Sequence, residues 1–509
     1  MNINKNKLRK IDASISVLFI VGILILLNFF SYKIFHRFDL TQNKDYSISP
    51  VTKEILHNLD DIVIIKAYFS KNLPSQFVSL RQDVGDILDE YINYSNGKIK
   101  VEFIDPADDK ETKRDLYLKG IPELQFNVFE KDKTQVVRGY MGILIQYGDR
   151  TEAIPVVKNT KNLEYDITIA IKKVVNNENI AIGILGDKES INLSKAAQNT
   201  YNNLNKIYDV STIDLENVKE IPSNLNTLII AGPKEEFSED DLKKIDDFFM
   251  NGKSLLVLLD GVINEKGLVA KINKTNLDKL LESYGVKLNQ NLVLDVISGK
   301  APFSQGFIPF FIEYPFWPKV ISSGFDRNNP IVSQLESVIF PWVSSIDILS
   351  DKIAKDNYIS YLAKSSEKSW VQSDNFNLNP QQRFISGKQG QRTLAILIKG
   401  KFKSYYSDKE TDSARLAVVG DSDFVKEGII GEPNDNSIFF QNLVDGLSMD
   451  ASLISIRSKG ITDRPIKELS YTQKMLIRYL NIFGLTIIVI LFGLLRYYLR
   501  RKSKFVDEL

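Results

Sequence analysis

The chain contains no cysteine among its 509 residues, which excludes disulfides, thiolate nucleophiles and cysteine-ligated metal centres. It has only two histidines, His36 and His57, which argues against a histidine-based catalytic triad or a multi-histidine metal site. Basic and acidic side chains nearly balance, at a formal net charge of +1, and no long basic run occurs away from the termini. We therefore expect no nucleic-acid partner and no chemistry that depends on thiols or imidazoles.

Sequence motifs for nucleotide binding and for hydrolysis are also missing. The segment from Asn251 to Ser254 reads NGKS, but the Walker pattern needs a glycine at the position of Asp247. The same segment precedes a predicted strand, whereas a phosphate loop follows one. No G-x-S-x-G or H-E-x-x-H pattern occurs. The sequence therefore predicts a chain that is not an enzyme, that has no cofactor and that does not bind ATP itself.

Two uncharged apolar segments, one near each end, predict transmembrane helices. Ala13 to Tyr32 has about 20 residues, enough to cross a bilayer, and Tyr479 to Leu495 has about 17, the short limit. The alternative for the first segment is a cleaved signal peptide, but its apolar core is longer than the usual ~7–15 residues and no small-x-small cleavage site follows. The alternative for the second segment is a buried core helix, which the absence of any polar face disfavours.

Basic residues on the terminal side of each span predict the orientation in the membrane, because positively charged flanks stay in the cytoplasm. They are Lys5, Lys7, Arg9 and Lys10 before the first span and Arg496, Arg500, Arg501 and Lys502 after the second. We therefore expect a two-pass protein of the bacterial inner membrane, with both termini cytoplasmic and the bulk of the chain periplasmic. Its predicted parts are 1–36 (tail and first span), 37–177 (first domain), 178–450 (second domain), 451–478 (connector) and 479–509 (second span and basic tail).

Residues 37–177 show the pattern of a first extracytoplasmic α/β domain. Ser49 is a predicted N-cap, with Pro50 at the first helical position. Apolar runs such as Ile62 to Phe69 predict buried strands that alternate with amphipathic helices. The predicted order is β-α-β-α-β-β-β-α, with one long strand over Val136 to Tyr147. This order indicates a mixed sheet, thioredoxin-like and used only as a scaffold, since redox cysteines are absent.

Residues 178–450 predict a second extracytoplasmic α/β domain with a doubly wound sheet. Apolar runs from Asn179 to Asp187, Thr227 to Pro233 and Lys253 to Gly261 predict strands of the parallel type, and helical patterns follow the first two of them. A capping box over Ser238 to Asp241 begins one of these helices. A long middle region is predicted to be irregular, and the run from Arg415 to Val425 returns to a strand and turn.

Acidic residues after three of these strands are candidate metal ligands. Asp421 and Asp423 lie in the sequence GDSDF and could bind a hard cation such as Mg²⁺. The alternative is an Asx-type turn that caps the next helix. Asp187 and Asp260 follow strands in the same way and carry the same two interpretations. We favour turn formation for all four side chains and assign no metal site.

The segment from Phe303 to Val320 is the most unusual in the chain, with seven aromatic residues among three prolines. Its prolines argue against a regular helix or a central strand, so we predict an irregular aromatic insertion over residues 300–320. One interpretation is a loop buried over the sheet. The other is an exposed aromatic surface for a partner or for sugar rings, with these candidate anchors: Phe310, Phe311, Phe316 and Trp317.

Several motifs together, in order along nearly the whole chain, resemble a known family. They are FDLTQNKDYSISPVTKEIL, VEFIDP, IAGP, NNPIV, RLAVVGDSDFV and RSKGI. The chain resembles the gliding-motility-associated GldG-type ABC transporter proteins and the wider family of auxiliary ABC transporter components.

That resemblance implies an extracytoplasmic companion of a multispanning permease and a cytoplasmic ATPase, with ATP bound only by the partner. It also implies that the second domain is similar to the class I amidotransferase-like fold and to a subunit of intraflagellar transport. The amidotransferase nucleophile is a cysteine, which this chain lacks, so the implied domain is non-catalytic. The segment from Arg37 to Leu56 resembles a collar between anchor and body, and we expect it to transmit position or force between them.

Three functions follow from these observations. The first is a non-enzymatic auxiliary subunit of an ABC transporter, associated with gliding motility or envelope transport. The second is a passive envelope scaffold or glycan-binding protein that uses the aromatic segment. The third is an envelope hydrolase that uses carboxylates such as Asp421 and Asp423. We favour the first because so few catalytic residue types are present.

Overall fold

The structure of the chain is a computed structural model. It describes residues 22–23, 47–74, 77–106, 109–130, 133–160, 162–176, 180–265, 268–305, 308–430, 435–449, 453–454, 456 and 471–506. Apart from Gly22 and Ile23, the predicted first span and the basic residues before it lie outside the described residues, as does most of the predicted connector.

We refer to residues 47–176 as the first domain. Its elements are α1 Pro50–His57, β1 Val63–Phe69, α2 Val78–Tyr94, β2 Ile99–Ile104, α3 Lys110–Leu118, β3 Leu124–Glu130, β4 Lys133–Gly139, β5 Met141–Tyr147, β6 Arg150–Ile154 and α4 Leu163–Asn176. The main sheet has the order β2-β1-β5-β6, with β1 parallel to β2 and antiparallel to β5. Strands β3 and β4 form a separate hairpin.

The start of α1 follows the sequence prediction. Ser49 is extended, with φ −67° and ψ 157°, and its hydroxyl accepts a hydrogen bond from the backbone N–H of Thr52 at 3.1 Å. Pro50 occupies the first turn, where no N–H is needed. Leu56 of this helix is fully buried in the core of the first domain. A local sequence signal therefore suffices to begin this helix.

The single strand predicted over Val136 to Tyr147 is wrong. The structure divides this run at Tyr140 into β4 and β5, which belong to different sheets. Tyr140 is buried and exchanges two hydrogen bonds with Ser70: its N–H donates to the Ser70 hydroxyl at 3.0 Å, and its carbonyl accepts from the Ser70 N–H at 3.1 Å. A contact 70 residues away in sequence thus ends the strand, and no local pattern could show it.

We refer to residues 180–449 as the second domain. Its strands and α-helices are β7 Ala181–Leu185, α5 Leu193–Ala196, α6 Gln198–Ile207, β8 Asp209–Ile213, β9 Leu225–Ala231, α7 Glu239–Met250, β10 Ser254–Leu258, β11 Val262–Glu265, β12 Val269–Ile272, α8 Leu277–Ser283, β13 Val286–Leu288, β14 Leu292–Leu294, β15 Ser298–Gln305, β16 Ile308–Ile321, β17 Ser337–Ile339, β18 Ile346–Ile348, β19 Tyr358–Lys364, β20 Trp370–Gln372, β21 Thr393–Lys403, β22 Glu410–Val419, α9 Glu427–Ile430 and α10 Asp435–Ser448. Short 3-10 turns are Ser322–Gly324, Ser350–Lys352 and Asp423–Val425.

A seven-stranded sheet of order β19-β21-β22-β10-β9-β7-β8 organises the second domain. Strands β8, β7, β9, β10 and β22 are parallel, and β21 and β19 extend the sheet in antiparallel fashion. Successive residues of a strand point to opposite faces, so Ile229 and Ile230 enter different hydrophobic clusters. The predicted strand–helix alternation is therefore present. So is the predicted capping box, since Ser238 and Asp241 exchange hydrogen bonds of 3.0 and 3.2 Å.

The predicted irregular middle region is wrong. It contains two strands of the main sheet, β19 and β21, and a three-stranded sheet of order β15-β16-β17 in which the aromatic segment is the central strand. The prolines fit because two of them act as acceptors: the carbonyls of Pro315 and Pro318 accept from Asp295 and Phe340 at 3.0 and 2.9 Å. The register of the pairing between β15 and β16 shifts between Ser298 and Lys300, as at a β-bulge.

The last described element, α11 Tyr471–Val506, belongs to a separate compact unit of the chain. It begins eight positions before the predicted span, inside the predicted connector. In the described part of the chain, no single helix meets the length and hydropathy expected of a membrane span. The segments Thr472–Gly484 and Ile487–Tyr497 meet them together, with a bend of 47°.

Candidate functional site

The carboxyl edge of the parallel strands is the place where open α/β sheets usually bind ligands, and the acidic candidates lie there. Asp187 follows β7, Gly232 follows β9, Asp260 follows β10 and Asp421 follows β22. These four strands are neighbours, so the residues after them form one continuous edge. Gly232 shows how close they are: with φ +57°, it has room for no side chain, since a Cβ there would lie 2.5 Å from the Ser422 hydroxyl oxygen.

Asp260, Asp421 and Ser422, which are buried, form a cluster with the half-buried Asp423 and Lys426. One Asp260 oxygen accepts the backbone N–H of Ser422 at 2.7 Å, and the other accepts the Ser422 hydroxyl proton. Asp421 accepts the backbone N–H of Asp423 at 2.7 Å, while its second oxygen is buried without a hydrogen-bond partner. The Lys426 ammonium pairs with Asp423. Three carboxyl groups therefore share one nearby cation.

Burial and mutual repulsion hold protons on this cluster. Burial, with repulsion from Asp423 next in importance, raises the pKa of Asp260 to about 7. Burial, followed by the nearby charges of Asp260 and Asp423, raises the pKa of Asp421 well above its ordinary value. Lys426 keeps a raised pKa despite its own burial, because Asp423 stabilises the ammonium. Asp260 and Asp421 therefore carry less negative charge at neutral pH than exposed aspartates do.

The chain itself closes the edge above this cluster. The backbone N–H of Ser344 donates to the Gly420 carbonyl at 2.7 Å. The Ser344 hydroxyl accepts from the N–H of Gly261 at 3.1 Å and donates to the Asn291 carbonyl at 2.7 Å. A Cβ at Gly420 would lie 2.1 Å from the Ser344 carbonyl oxygen, so the segments are in direct contact. The ends of β10 and β22 are thus covered by the segment before β18, where a ligand cleft would otherwise open.

Asp187 lies at the other end of the same edge. One of its oxygens accepts from the Leu215 N–H at 2.8 Å, and the other is buried without a partner. Burial raises its pKa. The adjacent Lys188 is buried, with φ +56°, and pairs with Glu216 at 3.0 Å and with Asp241 at 3.2 Å. These contacts join the loop after β7 to the start of α7, which is a structural role.

The turn interpretation describes the local geometry of Asp421, whose carboxylate accepts from the N–H two residues later. Asp260 and Asp187 instead accept from residues distant in sequence, which the turn interpretation missed. Among the described residues, no group of three or more acidic or histidine side chains is arranged to hold a metal ion. The residues that sequence reasoning missed are Ser344 and Lys426, which no motif marks.

The aromatic candidates divide between core and surface. Phe316 and Trp317 are buried with Tyr314 in a cluster of the inserted strands, so an exposed position for these two is wrong. They are buried because Phe316 packs against Phe384, with ring centroids 5.7 Å apart, and Trp317 against Trp342 at 5.5 Å. Phe310 is half-buried, and Phe311 is 67% exposed. A partner-binding anchor must be exposed, and of the four candidates only Phe311 is mostly exposed.

Fold and site together define a mixed α/β protein whose main parallel sheet has a closed carboxyl edge. The chain belongs to the family described as an ABC-type uncharacterized transport system (ABC_transp_aux), whose model matches residues 180–444, slightly more than half of its length. Membership indicates an auxiliary component that associates with other components of an ABC transport system. A second family model, a domain of unknown function (DUF7088), matches residues 42–146.

One similar protein matches this chain over nearly its full length, whereas the similar solved structures match it only weakly. An uncharacterized protein of Borreliella burgdorferi is 26% identical over 525 residues, covering 99% of this chain and 100% of the relative. The mmIFT52 N-terminal domain matches 56% of this chain and all of its own length at 15% identity, with a TM-score of 0.34. The exo-beta-1,4-mannosidase Op5Man5 of an Opitutaceae bacterium matches 76% of this chain and 51% of its own at 8% identity, with a TM-score of 0.22. These TM-scores are too low for either likeness to carry an argument.

Proposed function

We propose that the chain is a membrane-anchored, extracytoplasmic auxiliary subunit of an ABC transporter complex, of the GldG type associated with gliding motility or envelope transport. In this proposal both termini are cytoplasmic and both α/β domains are periplasmic. A permease subunit and a cytoplasmic ATPase are its partners, and only the ATPase binds ATP. The chain contributes binding surfaces and no chemistry of its own.

The closed carboxyl edge is the observation that carries the non-enzymatic part of this proposal. Enzymes with open α/β sheets use that edge as a cleft, with polar groups directed at a substrate. Here Ser344 contacts Gly420 and Gly261 across the strand ends, and the carboxyl groups below it bind backbone and serine groups of the chain. The arrangement is an internal packing contact between two parts of one domain. It supports a binding scaffold better than a hydrolase.

Contacts of α1 support the proposed role of the collar segment. The buried carboxylate of Glu164, at the start of α4, accepts from the Ser49 N–H at 2.5 Å and from the Thr52 hydroxyl at 2.8 Å. A carboxylate at a helix N-terminus also complements the helix dipole. The other face of α1, with Val51 and Ile55, packs against a hydrophobic cluster that contains Tyr165 and Ile169 of α4 together with residues of the second domain. A flexible Gly/Ser insertion after Arg37 should therefore impair function while leaving this packing intact; unchanged function would contradict the role.

The proposed topology can be tested with single cysteines, because the natural chain has none. Lys219→Cys places a thiol on the exposed surface of the second domain, and Ser503→Cys places one in the terminal basic segment. In intact spheroplasts, a membrane-impermeant maleimide should label the first variant and spare the second until the membrane is permeabilised. The reverse pattern, or equal labelling before permeabilisation, would contradict a periplasmic body with a cytoplasmic tail.

The partnership is tested by affinity isolation of the tagged full chain in mild detergent, followed by quantitative mass spectrometry. An ATP-binding subunit and a multispanning permease subunit of the ABC class should both be enriched over a bait that keeps only residues 1–36. Asp421→Asn should isolate the same partners in the same amounts, since Asp421 is fully buried. Absence of both subunit classes from the full-chain sample would refute the proposal. Loss of a measurable enzymatic activity in Asp421→Asn would favour a hydrolase instead.

The alternative of a glycan-binding scaffold has weaker support. Sugar rings stack on exposed aromatic faces, and the structure buries Phe316 and Trp317 in the domain core. Among the four candidate anchors, only Phe311 is mostly exposed to solvent. A single phenylalanine at a hairpin offers too little area for a ring-stacking platform.

A further inference from the structure

A polar cavity lies at the opposite, amino edge of the main sheet, between the two domains. Its volume is about 460 Å³, within the range typical of small-ligand sites. Its walls include the C-terminal half of α4, the end of α6, residues of β9, β10 and β22 at the amino edge of the sheet, the end of α10, and the Asn251–Gly252 turn after α7. A ligand in this cavity would therefore contact both domains at once.

The charged side chains that line the cavity all have the same sign. The four ionisable residues among the described lining residues are all basic, and none is acidic: Lys172, Lys173, Lys253 and Arg415. The remaining polar lining consists of amides and hydroxyls: Asn176, Asn226, Asn251, Ser254, Ser413 and Ser448. The amide groups can donate hydrogen bonds to an anion, whereas the Ser254 hydroxyl already donates to the Leu447 carbonyl at 2.9 Å.

Two of the four cations are already engaged by the protein. Lys173 donates to Glu152 and to the Lys206 carbonyl, both at 2.9 Å. The Arg415 Nη1 donates to the carbonyls of Gly446 and Met449, at 3.1 and 2.7 Å, where α10 ends. These contacts fix the two side chains in place, and they leave the Arg415 Nη2 without a partner among the described residues.

Lys172 and Lys253 are the cations that no described acidic side chain neutralises. Both are half-buried and line the cavity, the first from the first domain and the second from the second domain. Like charges that share a partly desolvated cavity repel each other, and the repulsion is relieved most directly by an anion between them. A phosphate group also matches the donors of Arg415 and the neighbouring amides.

We propose that this cavity, between the C-terminal half of α4 and the amino ends of β10 and β22, binds a phosphate-bearing anion through Lys172, Lys253 and Arg415. The phosphate can come from a soluble molecule or from a lipid headgroup. The ligand links the two domains, because Lys172 belongs to the first domain and Lys253 to the second. This inference does not depend on the proposed transport function.

The test measures dissociation constants of the detergent-solubilised full chain by microscale thermophoresis. One arm uses inorganic phosphate, and the other uses dioctanoyl phosphatidylglycerol, with dioctanoyl phosphatidylcholine for comparison. Lys172→Gln and Lys253→Gln should each weaken binding about tenfold or more, since each removes a charge-assisted contact. Lys279→Gln, on the exposed surface of α8, is the matched control and should leave binding unchanged.

Lys253→Arg keeps the positive charge and should retain binding within about threefold of the natural chain. Binding in the phosphate arm alone identifies a soluble ligand, and preference for phosphatidylglycerol over phosphatidylcholine identifies a headgroup. Both outcomes support the binding of a phosphate group in this cavity. The proposal is overturned if neither probe binds, if both lysine-to-glutamine variants bind as well as the natural chain, or if Lys253→Arg binds as weakly as Lys253→Gln.

Discussion

Replacing Asp421 by asparagine should stabilise the second domain at neutral and alkaline pH. Asp421 is fully buried, and one of its oxygens has no hydrogen-bond partner. Asparagine has nearly the same shape and keeps an acceptor for the Asp423 N–H, which now donates at 2.7 Å. The variant therefore removes a buried ionisable group while preserving the turn.

The sign of the effect and its dependence on pH follow from proton linkage. The folded-state pKa of Asp260 is raised to about 7, roughly three units above the value of an exposed aspartate, which corresponds to about 4 kcal/mol. The pKa of Asp421 is raised as well, partly by Asp260. For raised acids, the folded state holds more protons than the unfolded state. Stability is therefore highest below about pH 4 and is lost as the pH rises through about 7.

Asp421→Asn should thus raise the free energy of unfolding at pH 8, and raise it clearly less at pH 4.5, where an acid with a raised pKa is largely protonated in the folded state. The assay is urea denaturation of the solubilised full chain, followed by tryptophan fluorescence. All three tryptophans, Trp317, Trp342 and Trp370, lie in the second domain and report on it. Asp351→Asn, at an exposed site, is the control and should change neither value.

The reasoning is refuted by a gain of equal size at both pH values, since that would indicate a packing effect without titration. A loss of stability at pH 8 would refute it as well. The second outcome would mean that Asp421 is ionised in the folded protein and is stabilised by Lys426.

Two further substitutions test the packing around the closed edge and the aromatic strand. Gly420→Ala should cost about 1–3 kcal/mol or more, because its Cβ would lie 2.1 Å from a backbone carbonyl oxygen; Gly428→Ala, with no atom within 4 Å, should be neutral or slightly stabilising in the same denaturation assay. Phe316→Ala should cost about 3–5 kcal/mol because the ring is fully buried, whereas Phe311→Ala should change stability by less than about 0.5 kcal/mol. Equal costs within either pair would contradict the burial described above.

Much of the first domain and the parallel strands of the second could be predicted from local sequence. The Ser49–Pro50 helix start and the capping box at Ser238 depend on contacts within one helical turn, and such contacts leave a readable pattern. Buried parallel strands such as Leu225–Ala231 are apolar along most of their length, so they could be predicted from the sequence as well.

The errors occurred where distant residues decide the outcome. Tyr140 interrupts an apolar run because Ser70 pairs with it across the domain. The aromatic segment forms a strand in spite of its prolines, because Asp295 and Phe340 donate to proline carbonyls, which need no N–H from the proline. Propensity alone favoured a loop, and tertiary pairing outweighed it.

The sequence by itself determined which side-chain chemistry is available. Without cysteine the chain cannot use thiol chemistry, it has only two histidines, and the uncharged apolar segment near each end predicts a membrane anchor. Only the tertiary structure decided how its acidic and basic residues act. Asp260 and Asp421 lie far apart in sequence, yet parallel neighbouring strands place both below Ser344 at one edge of the sheet. Lys172 and Lys253 line one cavity at the other edge. Desolvation and proximity set these properties, and both arise only when distant segments are packed together.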